Sequence, residues 1–304
     1  MKKGFLVSLA FLMQNVLIVI HAQYYYYNEK MAYRALMFEA GISVGGMNCI
    51  TDLGGSRGTG KKFIGDINWN NCRPAFGGYL LALYKNRAGL RLETTYGSVT
   101  AYDSVLKNTG STTYGRYDRN LSFKSPILET QLAAEIFPLA FMQLKEHPVF
   151  SPYLLAGISV YRFDPKAQLD GHWYALQPLR TEGQGFSEYP DRKPYKLQQI
   201  NLSTGAGLKY EFGSFYVARL ELNYRFLFTD YLDDVSTAYI DPGLFNTYLP
   251  VNQAWLSRKF YYRRNEINPQ DQPVINGQRG NPARNDSYFS ILFKAGLVLG
   301  QRRK

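Results

Sequence analysis

Apolar residues alternate one for one with small or polar residues along most of the chain, a period of two that predicts strands with one apolar and one polar face. Eight such segments are read, at 37–45, 75–85, 89–98, 128–138, 152–161, 197–212, 215–228 and 287–299. In the first, Phe38, Ala40, Ile42 and Val44 oppose Glu39, Gly41, Ser43 and Gly45. In the fourth, Leu128, Leu132, Ala134 and Ile136 oppose Glu129, Gln131 and Glu135, and in the seventh Leu220, Leu222, Tyr224 and Phe226 oppose Arg219, Glu221, Asn223 and Arg225. The connections alternate too. "NRA" joins strands two and three and "GS" joins six and seven, with "LAFMQLKEHPVF" the longer member of this short set. The other four connections are long. Short turns at one end, long loops at the other and an even strand number are the pattern of outer-membrane barrels. The predicted fold is therefore all-β, an eight-stranded antiparallel up-and-down transmembrane β-barrel with four long external loops.

A soluble secreted barrel would also alternate, with its polar face in water. The glycines argue for the membrane form. Gly41, Gly45, Gly97, Gly157, Gly205, Gly207 and Gly296 fall on the polar face, where solvent requires no missing side chain but a crowded lumen does. The same face carries Glu39, Glu93, Glu129, Glu135, Glu211 and Glu221 with Arg91, Lys209, Arg219, Arg225 and Lys294. Opposite charges in near balance can pair across a narrow interior, which predicts a lumen charge network and a plug instead of a pore.

The chain start sets the compartment. Lys2 and Lys3 precede an apolar run from Phe5 to Ile20 with Ala22 at the expected cut, the parts of a secretory signal peptide. The expected division is a signal over 1–22, an N-terminal segment over 23–36 and the barrel over 37–304, exported to the outer membrane. No later run is long and apolar enough for a spanning helix. Composition leans toward strands, with 25 Tyr, 19 Phe and 27 Gly. The only cysteines, Cys49 and Cys72, are most simply read as a disulfide tying the first external loop. The formal charge of +11 falls to +9 without Lys2 and Lys3. On an exported protein this points away from nucleic acid and toward anionic envelope groups such as lipid phosphates. Between the cysteines, "GSRGTGKK" nearly spells a phosphate-binding P-loop. Lys62 replaces the magnesium-holding hydroxyl, and neither a buried strand before it nor a helix after it is indicated, so no nucleotide site is expected.

The segments "GISVGGMNCITDLG", "RPAFGG", "LRLETTYGSV", "SPYLLAGISVYRFDPKA", "WYALQPLRTEGQG" and "FLFTDYLDDVSTAY" resemble a family of outer-membrane barrels related to PorG, a component of the type IX secretion system. The resemblance spans residues 41–239 and, more loosely, the last strand, with "FTDYLDDVST", "GISVYRF" and "LQPLRTEGQG" its specific pieces. That family has no assigned biochemical activity, and the resemblance implies a small barrel that contacts periplasmic lipoproteins of the secretion ring. Its motif loop contributes Thr229, Asp230, Asp233 and Asp234.

Candidate chemistry is sparse. Asp230, Asp233 and Asp234, with Asp241, could hold calcium, but without EF-hand-like spacing they read as residues shaping the loop base through backbone N–H groups. Some eight-stranded barrels modify lipid A with a histidine, a serine and a carboxylate. His147 lies in a periplasmic turn, and His172, beside Asp170 in "LDGHWY", has no serine partner assignable from sequence. The basic, aromatic fourth loop suits sugar phosphates or protein partners and equally a solvated, partly disordered loop. The expectation is a non-enzymatic barrel with no cofactor or metal, in contact with outer-membrane lipid, serving type IX secretion through periplasmic lipoproteins. The alternatives are surface adhesion through the loops and a lipid-A enzyme.

Overall fold

The computed structural model describes residues 35–55, 67–107, 114–142, 150–212 and 215–299. The expected signal segment, "SRGTGKK", His147 and the "GS" turn lie outside the described residues. Eight long strands form the wall: β1 (Leu36–Ile50), β2 (Arg73–Tyr84), β3 (Ala88–Tyr102), β4 (Ser122–Ile136), β5 (Phe150–Phe163), β8 (Gln198–Phe212), β9 (Tyr216–Leu227) and β10 (Ser287–Leu299). Each pairs antiparallel with its neighbour in the chain, and β10 pairs back onto β1 from Phe38↔Leu299 to Ile50↔Ser287. The sheet is a closed eight-stranded barrel without a free edge, as the alternation predicts.

The wall keeps the predicted faces. Ile42, Leu80, Leu132 and Leu220 point outward and are exposed, whereas Glu39, Arg91, Glu135 and Arg219 point inward and are buried. Turn geometry pins the register between β2 and β3: Lys85 and Asn86 both have positive φ, and the Arg87 N–H donates to the Tyr84 carbonyl at 2.9 Å, a type I′ pair that matches strand twist.

Several strands run further than the alternation indicates, all toward the long-loop end. β1 continues to Ile50 and β3 to Tyr102, and β4 starts at Ser122. In Met47–Ile50, Val99–Ala101 and Ser287–Ser290 every residue is buried. There the loops cover the outer face, both faces need buried side chains, and period two is lost. Two further strands were not read from the sequence: β6 (Lys166–Leu169) and β7 (His172–Ala175) form a hairpin that joins the top of β4 through Lys124↔Lys166. Asp170 and Gly171, both at positive φ, make its turn, so the aspartate beside His172 has a conformational task.

The expected Cys49–Cys72 disulfide is not formed; both residues are free thiols. Cys49 points inward and is buried, whereas Cys72 lies outside against Gly46 and is exposed. Paired strands send such residues to opposite faces, so short separation along the chain does not bring the sulfurs together.

The interior is layered. Tyr79, Leu81, Leu83, Phe137, Tyr153 and Leu155 form an apolar floor near the short turns. An ionic middle follows. Above it, Met47, Val99, Phe123, Ile127, Tyr161, Phe163 and Tyr288 make an apolar roof that continues into the loops through Leu179, Tyr195, Leu232 and Phe260. The fourth loop is built, with short helices Leu244–Tyr248 and Val251–Tyr261 over a second cluster containing Phe186, Ile240 and Phe245.

Two lumen glycines are there for neighbouring rings. A Cβ on Gly41 would meet the Tyr79 ring at 2.6 Å, and one on Gly207 would run into the Tyr153 ring, each tyrosine lying directly across the strand pair. Gly207→Ala should therefore destabilise the barrel by about 1–3 kcal/mol through overpacking. Gly115→Ala, on a short helix with no atom of the described residues within 4 Å of the new methyl, should be neutral or stabilising. Urea titration of the two variants in one detergent checks the contrast.

Candidate functional site

Two groups of polar residues stand out, one inside the barrel and one over its external mouth. Inside, the lower ionic tier draws a side chain from every wall strand. Arg219 on β9 binds Glu39 of β1 at 2.6 Å and Glu135 of β4 at 3.0 Å. Arg91 on β3 reaches Glu135 and Glu221, both at 2.6 Å, and lies 3.2 Å from Glu93. Lys294 on β10 lies 2.5 Å from Glu93 and 3.0 Å from Glu221. Tyr79 of β2 donates to Glu39 at 2.6 Å and Tyr153 of β5 donates to Glu221 at 2.7 Å. Lys209 of β8 sits 3.9 Å from Glu39 and pairs at 2.8 Å with Glu211, which reaches the open end. A neutral layer follows, in which Asn223 donates to Gln131 and Gln131 to Ser203. Above it, Arg225 pairs with Glu129 at 2.8 Å, and Asn201 donates to the same carboxylate at 3.1 Å.

Of the eleven charged residues read on the inward face, ten are thus brought into one interior and buried, and Glu211, at the open end, is exposed. Each charge is worth keeping only because its partners are fixed around it. The tier crosses the lumen from wall to wall.

The mouth is held by a second set that the alternation could not indicate. In the second external loop Arg119 forks onto Asp103 at 2.8 and 2.9 Å, then donates to the carbonyls of Asp52 in the first loop and Arg279 in the fourth. Arg279 donates to Glu182 of the third loop at 2.9 Å and to the Asp234 carbonyl at 2.7 Å. Burial works against the charge on both arginines, but Asp103 and Glu182 outweigh it and push both guanidinium groups up. The four external loops are cross-linked into one cap.

The motif residues serve this cap. Glu182, in "LRTEGQG", accepts from the backbone N–H of Ser236 and Thr237 at 3.0 and 2.9 Å, and from the Thr237 hydroxyl at 2.7 Å. Asp234 accepts from Thr181 and from Tyr195, and Asp233 accepts from the N–H groups of Leu53 and Val235. Thr229 accepts from the Tyr231 N–H at 3.2 Å, Asp230 is buried beside it, and Asp241 accepts from the Gly243 N–H at 2.8 Å. Three stretches of the resemblance, "ITDLG", "LRTEGQG" and "DYLDDVST", therefore meet at the mouth. Among the described residues no group of three or more ligating side chains has metal-binding geometry. His172 is exposed on β7, opposite Leu169, with no serine or carboxylate side chain bonded to it among the described residues.

No family model matches the chain, and no curated protein matches it. Solved structures similar to it include the N-terminal barrel domain of Pseudomonas aeruginosa OprF, at 10% identity and TM-score 0.34 over 88% of this chain and 98% of that one. Yersinia pestis Ail, the attachment invasion locus protein, in complex with the heparin analogue sucrose octasulfate, gives 10%, 0.35, 86% and 99%. The outer membrane protein OprG from Pseudomonas aeruginosa gives 9%, 0.34, 88% and 96%. TM-scores this low carry no functional weight.

Arg91→Met should cost about 3–5 kcal/mol, because Glu135, Glu221 and Glu93 lose a shared cation in a buried site. A second change, Glu135→Gln, should recover part of it; heat-dependent gel migration of the two variants reads both. The cap has its own pH signature. Burial, with Glu182 adding to it, pushes the Asp234 carboxyl up to about 6 against its ordinary 3.8, although Arg279, Thr181 and Tyr195 oppose the shift. The folded cap then holds the proton more tightly than the unfolded chain. Its stability should rise as pH falls through about 6 and level off below about 4, by up to roughly 3 kcal/mol, the reverse of an ion-paired carboxylate. Hydrogen exchange over 181–185 and 232–238, corrected for intrinsic rates, should show this, and Asp234→Asn should flatten it.

Proposed function

We propose that this chain is an outer-membrane barrel that neither conducts solutes nor catalyses a reaction, and that it works as a sealed pedestal for a rigid external binding surface. The single observation that carries the reading is the ionic tier: eight wall strands each send a side chain into one buried, mutually paired network. A lumen filled in this way has no continuous aqueous path. The outward face supports the membrane placement. Phe38, Ile42, Leu80, Leu92, Leu132, Ile158, Leu202, Leu220 and Phe293 all stand exposed on the wall, a contiguous apolar surface far larger than a soluble monomer tolerates. Export through a cleaved signal fits the same placement. The polar groups at the mouth are taken up in holding the loops together, which supports a binding role over a lipid-A enzyme.

The cap offers a face suited to binding. On the helix Val251–Tyr261, Ala254, Ser257, Phe260 and Tyr261 are buried, while Val251 and Trp255 stand 84% and 51% exposed with Arg258 beside them. Lys259 lies over the Trp255 ring at 5.7 Å. Exposed indole and cations on a firm support are the composition of binding hot spots.

A second reading follows from the PorG-like resemblance: a component of type IX secretion touching periplasmic lipoproteins. The residues available for it are at the short-turn end, where Phe141 and Met142 are exposed at 57% and 61% and Arg87 lies over the Phe141 ring. Of the specific pieces of the resemblance, "FTDYLDDVST" and "LQPLRTEGQG" sit at the opposite, external end and "GISVYRF" in the β5 wall, so they support a shared cap more directly than a shared periplasmic partner.

Reconstituted barrel should leave a planar bilayer electrically silent, and steady unitary conductance would overturn the sealed reading. Leu132→Arg, in the middle of the outer face, should cost about 2–4 kcal/mol in lipid; unchanged stability in vesicles would count against a spanning barrel. Affinity purification from gently solubilised membranes separates the two binding readings: Trp255→Ala should abolish capture of an external partner, whereas Phe141→Ala should abolish capture of ring lipoproteins.

A further inference from the structure

The outer face of the wall contains an anomaly. Across every outward-facing position of the eight wall strands, the only charged side chains among the described residues are Lys124 and Arg162. Both are exposed, and both are cations. They occupy adjacent strands, β4 and β5, at the long-loop end: Arg162 pairs across from Leu128, and Lys124 lies two outward positions further up β4. Arg162 has no hydrogen bond or ion pair among the described residues. Lys124 is steadied by the loop hairpin, its ammonium 5.7 Å from the ring centre of Trp173, which is itself 45% exposed. Below them the face returns to Leu128, Leu132, Leu154, Ile158 and Val160.

A cation on a lipid-facing wall is disfavoured at mid-membrane and tolerated near the interface. Two on neighbouring strands at one end, with an indole beside them and a plain apolar wall beneath, match an amphiphile whose headgroup is anionic and whose chains lie along the strands. Neutral headgroups would leave both charges unanswered. We propose that Lys124, Arg162 and Trp173 form a binding site for an outer-leaflet lipid bearing phosphate on its headgroup, with the acyl chains seated on the β4–β5 face. At strand spacing the two Cα positions are about 14 Å apart, so each cation engages its own phosphate and a two-phosphate headgroup suits the site better than one. The nearby Lys166 contributes less, being already paired with Asp164 at 3.0 Å. The site rests on the reading that the barrel spans the membrane.

The test is retention of defined lipids on the purified full chain by native mass spectrometry, using diphosphorylated lipid A, its monophosphorylated form and a fully dephosphorylated form. Retention should fall in that order. Lys124→Gln and Arg162→Gln should each weaken the diphosphorylated complex by roughly fivefold, and the double variant by about 25-fold. Arg162→Lys should stay within about twofold, and Lys85→Gln, a cation at the short-turn end, should change nothing. Inorganic phosphate at millimolar concentration should not displace the lipid; if it does, the site is a bare phosphate site and the lipid assignment fails. Equal retention of all three lipids, or equal weakening by Lys85→Gln, overturns the site. Heat-dependent gel migration confirms that each variant is folded. A barrel that inserts into vesicles yet shows no phosphate preference sinks the lipid site alone, whereas failure to insert sinks the membrane reading beneath it.

Discussion

Buried charge is the constraint around which the barrel is built. Arg91, Arg219 and Lys294 are removed from water, and each stays charged only if carboxylates from other strands hold fixed positions around it. Glu135 answers both Arg219 and Arg91, and Glu221 answers both Arg91 and Lys294. Sharing makes the tier collective. A one-residue slip between any two strands would turn a charged side chain onto the apolar outer face and strand its partner inside, so the network enforces register as well as closure.

The apolar layers and the glycines follow from that arrangement. The tyrosines that donate into the tier, Tyr79 and Tyr153, need space across the strand pair, and Gly41 and Gly207 supply it. The floor and roof on either side keep the tier dry, which strengthens its pairing. The roof has a second use: Tyr161, Phe163 and Tyr288 pass into the loop core through Tyr195, whose ring stacks on Phe163 and on Tyr231. The cap is packed onto the barrel interior as well as tied by the Arg119 and Arg279 networks. That double attachment leaves little ordering entropy to be lost on contact, which is what the proposed binding surface on its outside requires.

The outer face completes the division of labour. Its only charged side chains among the described residues stand at one cationic corner, and that corner is steadied by a hairpin projecting from the third loop. Inside, the charges answer one another. At the corner they face outward, where only a ligand or the membrane interface can answer them.

Much of this was legible along the chain. Strand number, the inward and outward sets, the turn asymmetry and the ten buried lumen charges could be read because a β-strand reports its two faces every second residue, whatever its neighbours do. Reading failed where that rule lapses. Strand ends covered by loops lose alternation, as in Met47–Ile50, and the Asp170–Gly171 hairpin passed unread although its turn dipeptide was visible. The Cys49–Cys72 pair misled because chain proximity says nothing about which face a sulfur leaves from. Which lumen charge meets which, and how Glu182 reaches Arg279 across 97 residues, could not be read at all. By itself the sequence determined a barrel and its two faces, since these depend on local periodicity. Only the tertiary structure decided the partners across the lumen, the cap and the cationic corner, because those depend on strand stagger and loop return, which no local pattern encodes.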